Sequence, residues 1–161
     1  MKLSRLKIVK IYKVLEALVK DGSIKPLAFK YISKKIRELL KAEVDAVTEV
    51  EPKKRAEYNN RVNQILIDNA ERYEDGTPKT INNTNLIRDL IIPDENRQKI
   101  ASAVSAINSE VDFEEMIKEE QEFDKFMKDE IEIELPKINK KDLWESIDEE
   151  ALEVLFDIIE E

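Results

Sequence analysis

The sequence predicts a mainly α fold: an N-terminal antiparallel helical hairpin plus further helices, with at most a small two-stranded β element. Three observations carry this. Only two glycines and five prolines occur in 161 residues, leaving few positions for positive φ or tight hairpin turns. Apolar residues recur at spacings of three and four along most of the chain. Hydrophobic residues make up 42% and charged residues 39%, enough apolar surface for a core beneath densely ionic faces. A chain of this length supports one ordinary domain. Residues 1–161 therefore read as a single helical domain with a basic hairpin (1–51), a central helix and loop (52–92) and an acidic C-terminal part (93–161).

Ser4 is the expected N-cap of the first helix, whose apolar stripe is Ile8, Ile11, Tyr12, Leu15, Leu18 and Val19. Asp21-Gly22-Ser23 then supplies a turn with a residue suited to a helix C-terminus. Pro26 fits the first turn of a second helix, with Phe29, Ile32, Ile36, Leu39, Val47 and Val50 as its stripe. The seam of Phe29, Ile32, Ile36 and Leu39 suits either the first helix or a second copy of the chain, so homo-oligomerisation is open. Packing within the chain is the default at this size.

Pro52 breaks the pattern, and Tyr58, Val62, Ile65, Leu66 and Tyr73 resume it in a third helix. Glu74 to Asn85 holds Asp75-Gly76-Thr77-Pro78 and Asn82-Asn83-Thr84-Asn85, residues that favour turns, and is the clearest loop. After the short apolar segment Leu86 to Ile92, Pro93 with Asp94 and Glu95 opens a helix in which Ile100, Ala103, Val104 and Ile107 share a face. Phe113, Met116, Ile117, Phe123, Phe126 and Met127 mark an acidic fifth helix. Ile131, Ile133 and Leu135 then alternate with Glu130, Glu132 and Glu134, the period of a half-buried strand. Met1 to Leu3 is its candidate partner, since Lys2 would face a glutamate across the ladder. Asp148 caps a terminal helix with Leu152, Leu155, Phe156 and Ile159 as the expected buried stripe.

Composition narrows the chemistry. Without cysteine there is no disulfide, thiolate ligand or cysteine nucleophile. Without histidine the commonest general base and metal ligand are also missing. Two glycines, at positions 22 and 76, cannot build a phosphate-binding loop or a dinucleotide-binding turn. No cofactor, catalytic residue or metal site is expected, and the chain reads as a non-enzyme. The first twenty residues interleave lysines with apolar residues, unlike a signal peptide. The longest uncharged run, the ten residues from Ile100 to Ser109, is far short of the ~20 a membrane span requires. No membrane association is expected.

Charge is unevenly placed. The net charge is −9, yet residues 1–41 hold twelve Lys/Arg against three Asp/Glu, while Glu110 to Glu161 hold six against twenty-one. Opposite ends of opposite sign favour packing together or orienting a partner.

The opening K-L-S-R-L-K-I-V-K-I-Y-K-V-L-E-A-L, the helix from Pro26, the entry Ile92-Pro93-Asp94-Glu95-Asn96-Arg97 and the acidic terminal helix together resemble an uncharacterised family of small acidic helical proteins from phages and prophages of Gram-positive bacteria. The resemblance covers most of the chain and is weakest around Pro52 to Asn69 and Glu114 to Lys128. It carries no activity. It implies a phage origin and a location in the host bacterial cytoplasm or in the virion.

The acidic run including Glu114, Glu115, Glu119, Glu120, Glu130, Glu132 and Glu134 is the candidate interaction surface, either as an ordinary solvated face or as an imitation of nucleic-acid phosphates. The same carboxylates show no calcium-loop spacing. Trp144, the single tryptophan, joins the candidates as a core anchor or an interface hot spot. The lysines of the first helix read as solvated surface rather than a nucleic-acid or membrane contact. The expected function is protein–protein interaction, as an inhibitor of a host enzyme or defence system, with a structural or assembly role in the virion or tail module as the alternative.

Overall fold

The computed structural model describes residues 1–20, 26–143 and 147–160. The expected turn at Asp21-Gly22-Ser23 and Trp144 lie outside the described residues. The elements run β1 (Lys2–Ser4), α1 (Arg5–Lys20), α2 (Leu27–Val50), α3 (Lys54–Asp68), α4 (Asp94–Glu110), α5 (Phe113–Lys128), β2 (Glu130–Glu132), β3 (Ile138–Asn139), α6 (Glu149–Leu155) and β4 (Ile159–Glu160). The mainly α class holds, and among the described residues no helix is long and apolar enough to cross a membrane. The chain forms two compact units, Met1–Glu51 with Gln121–Glu161, and Pro52–Glu120.

In the first unit the core is built where the stripe of α1 meets that of α2. Ile8, Ile11 and Leu15 are fully buried, as are Phe29, Ile36 and Leu40. At ~1.5–3 kcal/mol for each large apolar side chain, this seam is the main stabilising contact of the unit. Ser4 caps α1 as expected, its Oγ accepting from the Lys7 amide at 3.3 Å. In α2 the stripe differs from the expected one. Leu40 is fully buried whereas Leu39 is 47% and Val50 56% exposed. Ser33 takes an inward position, so the face runs Phe29, Ser33, Ile36, Leu40, Val47. Spacing alone allows either leucine, and the line of contact with α1 selects Leu40.

β1 and β2 pair antiparallel with Lys2 opposite Glu132, so Lys2 faces a glutamate as expected and the register picks Glu132. The strand is shorter than expected, since only Glu130–Glu132 are in it, but Leu135 is still buried. Met1 and Ile133 exchange backbone hydrogen bonds, both at 2.9 Å. A second pair of strands, β3 with β4, is parallel and only two residues long on each side. Nothing in the alternation of the sequence indicates it, because Ile138 has no patterned neighbours.

The terminal helix requires a correction. Asp148 caps it, accepting from the Ala151 amide at 2.7 Å. Its buried residues are Ala151, Leu155 and Ile158, while Leu152 is 40% and Phe156 76% exposed. The α-helix stops at Leu155 and Phe156–Ile158 continue as a 3₁₀ turn. Three residues per turn instead of 3.6 rotate the last positions, so Ile158 replaces Ile159 on the inner face.

Arg5 knits the first unit together. Its guanidinium lies over the Phe126 ring, 4.1 Å from the centroid, and donates to the Phe126 carbonyl at 3.3 Å. It also sits 3.4 Å from a Glu43 carboxylate oxygen and 3.6 Å from Asp129.

In the second unit α3 packs on α4. The break at Pro52 is as the sequence predicts: α2 ends at Val50 and α3 begins at Lys54. Tyr73, expected on α3, lies beyond its end at 45% exposure. The loop that follows is ordered by local bonds. Asp75 accepts from the Thr77 amide at 2.9 Å and hydroxyl at 2.6 Å, and Gly76 takes φ +85°, where a side chain is disfavoured. These two bonds, the hydroxyl first, hold the Asp75 carboxyl below the usual carboxylate range.

Candidate functional site

The acidic run divides into two parts with different surroundings. Glu115, Glu119 and Glu120 lie on α5, and α3 supplies their partners. Lys54 Nζ donates to Glu115 at 2.8 Å and to Glu119 at 2.7 Å. Arg55 holds Glu120 with both prongs of its guanidinium, at 2.6 and 2.9 Å. Arg61 continues the ladder to Glu110 at 2.6 Å. Beneath the charges Tyr58 meets Phe113 edge to face at 5.3 Å and donates to the Asn108 side chain at 2.9 Å. Lys54, Arg55, Tyr58 and Arg61 recur at helical spacing, so one side of α3 presents all four.

This ladder shifts the titration of Lys54, Arg55 and Glu120. The hydrogen bonds to Glu115 and then Glu119 raise Lys54 well above the ordinary lysine value. Arg55 is likewise raised by Glu120, and Glu120 is lowered by its hydrogen bonds from Arg55. These three glutamates are thus engaged inside the unit and locally neutralised. Of the candidates on α5, Glu114 alone is exposed without an ion pair among the described residues.

The second part is different. Glu130, Glu132 and Glu134 are all exposed, while Ile131, Ile133 and Leu135 turn inward. None of the three glutamates has an ion-pair partner within 4 Å among the described residues. Neighbouring acids do: Asp129 pairs with Arg5, and Asp124 with Lys128. Lys2 stands opposite Glu132 in register without closing an ion pair. Alternate residues of a strand are ~6.6 Å apart, so these carboxylates form a row of unneutralised charges at short intervals.

The backbone adds a second feature. Because Met1 and Ile133 exchange bonds, alternation makes Leu3–Ile131 the next bonded pair and turns the amide and carbonyl groups of Glu130 and Glu132 to the opposite side. Among the described residues no further strand pairs there. Short, charged edge strands resist indiscriminate pairing, which is the least that these glutamates do. The same edge presents acidic side chains together with main-chain groups that no other strand pairs among the described residues.

No group of three or more acidic side chains among the described residues converges closely enough to hold a metal ion. Sequence reasoning missed the engagement of Glu115, Glu119 and Glu120 by Lys54 and Arg55. The only available signal was the K-K-R run at positions 53–55, which names cations but not their partners. Compared with protein-family models, curated proteins and solved structures, the chain matches none.

Proposed function

We propose that this chain is a phage- or prophage-encoded protein that acts without catalysis, by binding a protein of the host through the acidic edge of β2. The observation that supports this is the row Glu130, Glu132 and Glu134, exposed and without ion pairs among the described residues. The partner this edge suits has a basic surface, such as the nucleic-acid-binding face of a host enzyme or defence protein, where alternating carboxylates stand in for phosphates. The resemblance of the opening helix and of the Ile92 to Arg97 entry to phage proteins supports the origin, and with it action in the host cytoplasm. Carboxylates on α5 have little part in this reading, because Lys54 and Arg55 already offset them.

Affinity capture tests the proposal. The tagged protein and its Glu130→Lys/Glu132→Lys/Glu134→Lys variant are used as bait in uninfected and infected host cells, at two salt concentrations. The expected result is one host protein held by the parent at moderate salt, released at high salt and absent from the variant, with circular dichroism showing equal helix content in both. Equal capture by parent and variant would remove the acidic edge as the contact. Recovery of phage structural proteins alone would replace host inhibition with an assembly role.

A further inference from the structure

We propose that the cleft between α1 and α6 is a docking groove for an amphipathic helix of a partner protein, one whose apolar ridge is flanked by carboxylates on one side and by cations on the other. The cleft encloses about 450 Å³ and lies wholly within the first compact unit. It shares no residue with the acidic edge of β2, so the proposal stands apart from the function proposed above.

Its floor is apolar and low. Val14, Ala17 and Leu18 come from α1, and Ala151 and Val154 from α6. The two alanines keep the floor shallow, which lets a helix ridge approach closely. The rims are charged and of opposite sign: Lys10 and Lys13 along α1, Glu150 and Glu153 along α6. None of these four has an ion pair among the described residues. The two helices are already tied at one end, where Lys7 donates to the Glu153 carbonyl at 3.2 Å and pairs with Asp157 at 3.2 Å.

Charged rims that face each other over an apolar floor without meeting leave complementary positions open. A helix seated on the floor completes them only if its acidic flank lies over Lys10 and Lys13 and its basic flank over Glu150 and Glu153. The opposite arrangement sets like charge against like on both sides. The groove therefore selects both the chemistry of its occupant and its direction.

Selection from a displayed library of helical peptides tests this, with an apolar ridge at i, i+3, i+4 and i+7 and randomised flanks, using the full chain as bait. Enriched peptides are expected to carry Asp/Glu on one flank and Lys/Arg on the other. Their affinity, measured by fluorescence anisotropy, should fall at least tenfold for Lys10→Glu/Lys13→Glu. A second variant, Ala17→Arg, blocks the floor at an exposed position and should also reduce binding at least tenfold. Circular dichroism of both variants guards against loss of fold. Enrichment without the two-sided charge pattern, or affinity unchanged by both variants, overturns the proposal. So does a dimer in sedimentation of the parent that is lost in Ala17→Arg, since the occupant is then a second copy of the chain.

Discussion

Ser33 brings a hydroxyl into the core of the first unit, fully buried and without a hydrogen-bond partner among the described residues. A buried, unsatisfied polar group costs ~1–3 kcal/mol relative to an apolar group of the same shape. Ser33→Ala removes the hydroxyl and leaves almost no cavity, so it is expected to stabilise the protein by about 1 kcal/mol. For a chain of this size that raises Tm by roughly 2–4 °C. Differential scanning calorimetry checks it, and a lower Tm would mean that the hydroxyl is bonded in solution. Arg5 is a cation only 18% exposed that is surrounded by the Phe126 ring, Glu43 and Asp129, although its Nε, like the Ser33 hydroxyl, has no hydrogen-bond partner among the described residues. The sequence marks Ser4 as a cap but marks nothing at Arg5, because its partners lie 38 or more positions away.

At the scale of elements, α6 separates what periodicity shows from what it does not. The Asp148 cap was legible, since a cap is a matter of four consecutive residues. The buried face was legible only in part: Leu155 is inside as expected, whereas Leu152 and Phe156 are exposed and the change to a 3₁₀ turn at Phe156 brings Ile158 in. Leu155→Ala is therefore expected to cost ~2–5 kcal/mol as a large-to-small change in the core. Phe156→Ser should change stability by less than ~0.5 kcal/mol, as exposed substitutions do. Urea titration of the two variants distinguishes this face from the one the sequence suggests, on which both residues would be buried. The α3 ladder makes a pH-dependent prediction. The Glu120 carboxyl is held below its unfolded value by Arg55, so its contribution is present above the ordinary carboxylate range and is lost as pH falls through the lowered value. Glu120→Gln should flatten the acid limb of a Tm-against-pH curve by lowering its neutral part, and leave the acid end, where Glu120 is protonated anyway, little changed. Lys54 acts in the opposite sense, its raised value keeping its contribution at all pH below the ordinary lysine range.

Over the whole molecule, the basic opening and the acidic close belong to one compact unit, Met1–Glu51 with Gln121–Glu161. Among the described residues, Arg5 with Asp129 and Lys7 with Asp157 are the ion pairs that join them. Their carboxylates are exposed, and charges open to solvent are screened over ~10 Å at 0.1 M salt. Tm is accordingly expected to fall as sodium chloride rises from a few millimolar to about that concentration, and a curve that rises from the start would assign the net repulsion of a −9 chain the larger part. The sequence by itself determined the mainly α class, the caps at Ser4 and Asp148, the break at Pro52, the helix start after Pro93 and a glutamate opposite Lys2 on the neighbouring strand. Each depends on residues a few positions apart or on a period of two or 3.6, which are properties of the local chain. Only the tertiary structure decided that Glu115 and Glu119 meet Lys54, at separations of 61 and 65 residues, and that Glu130, Glu132 and Glu134 have no ion pair among the described residues. It also decided which leucine of α2 is buried and where α1 and α6 leave an apolar floor between charged rims. Pairing between distant residues depends on how helices pack, and a charge in the sequence carries no record of the charge that will come to lie beside it.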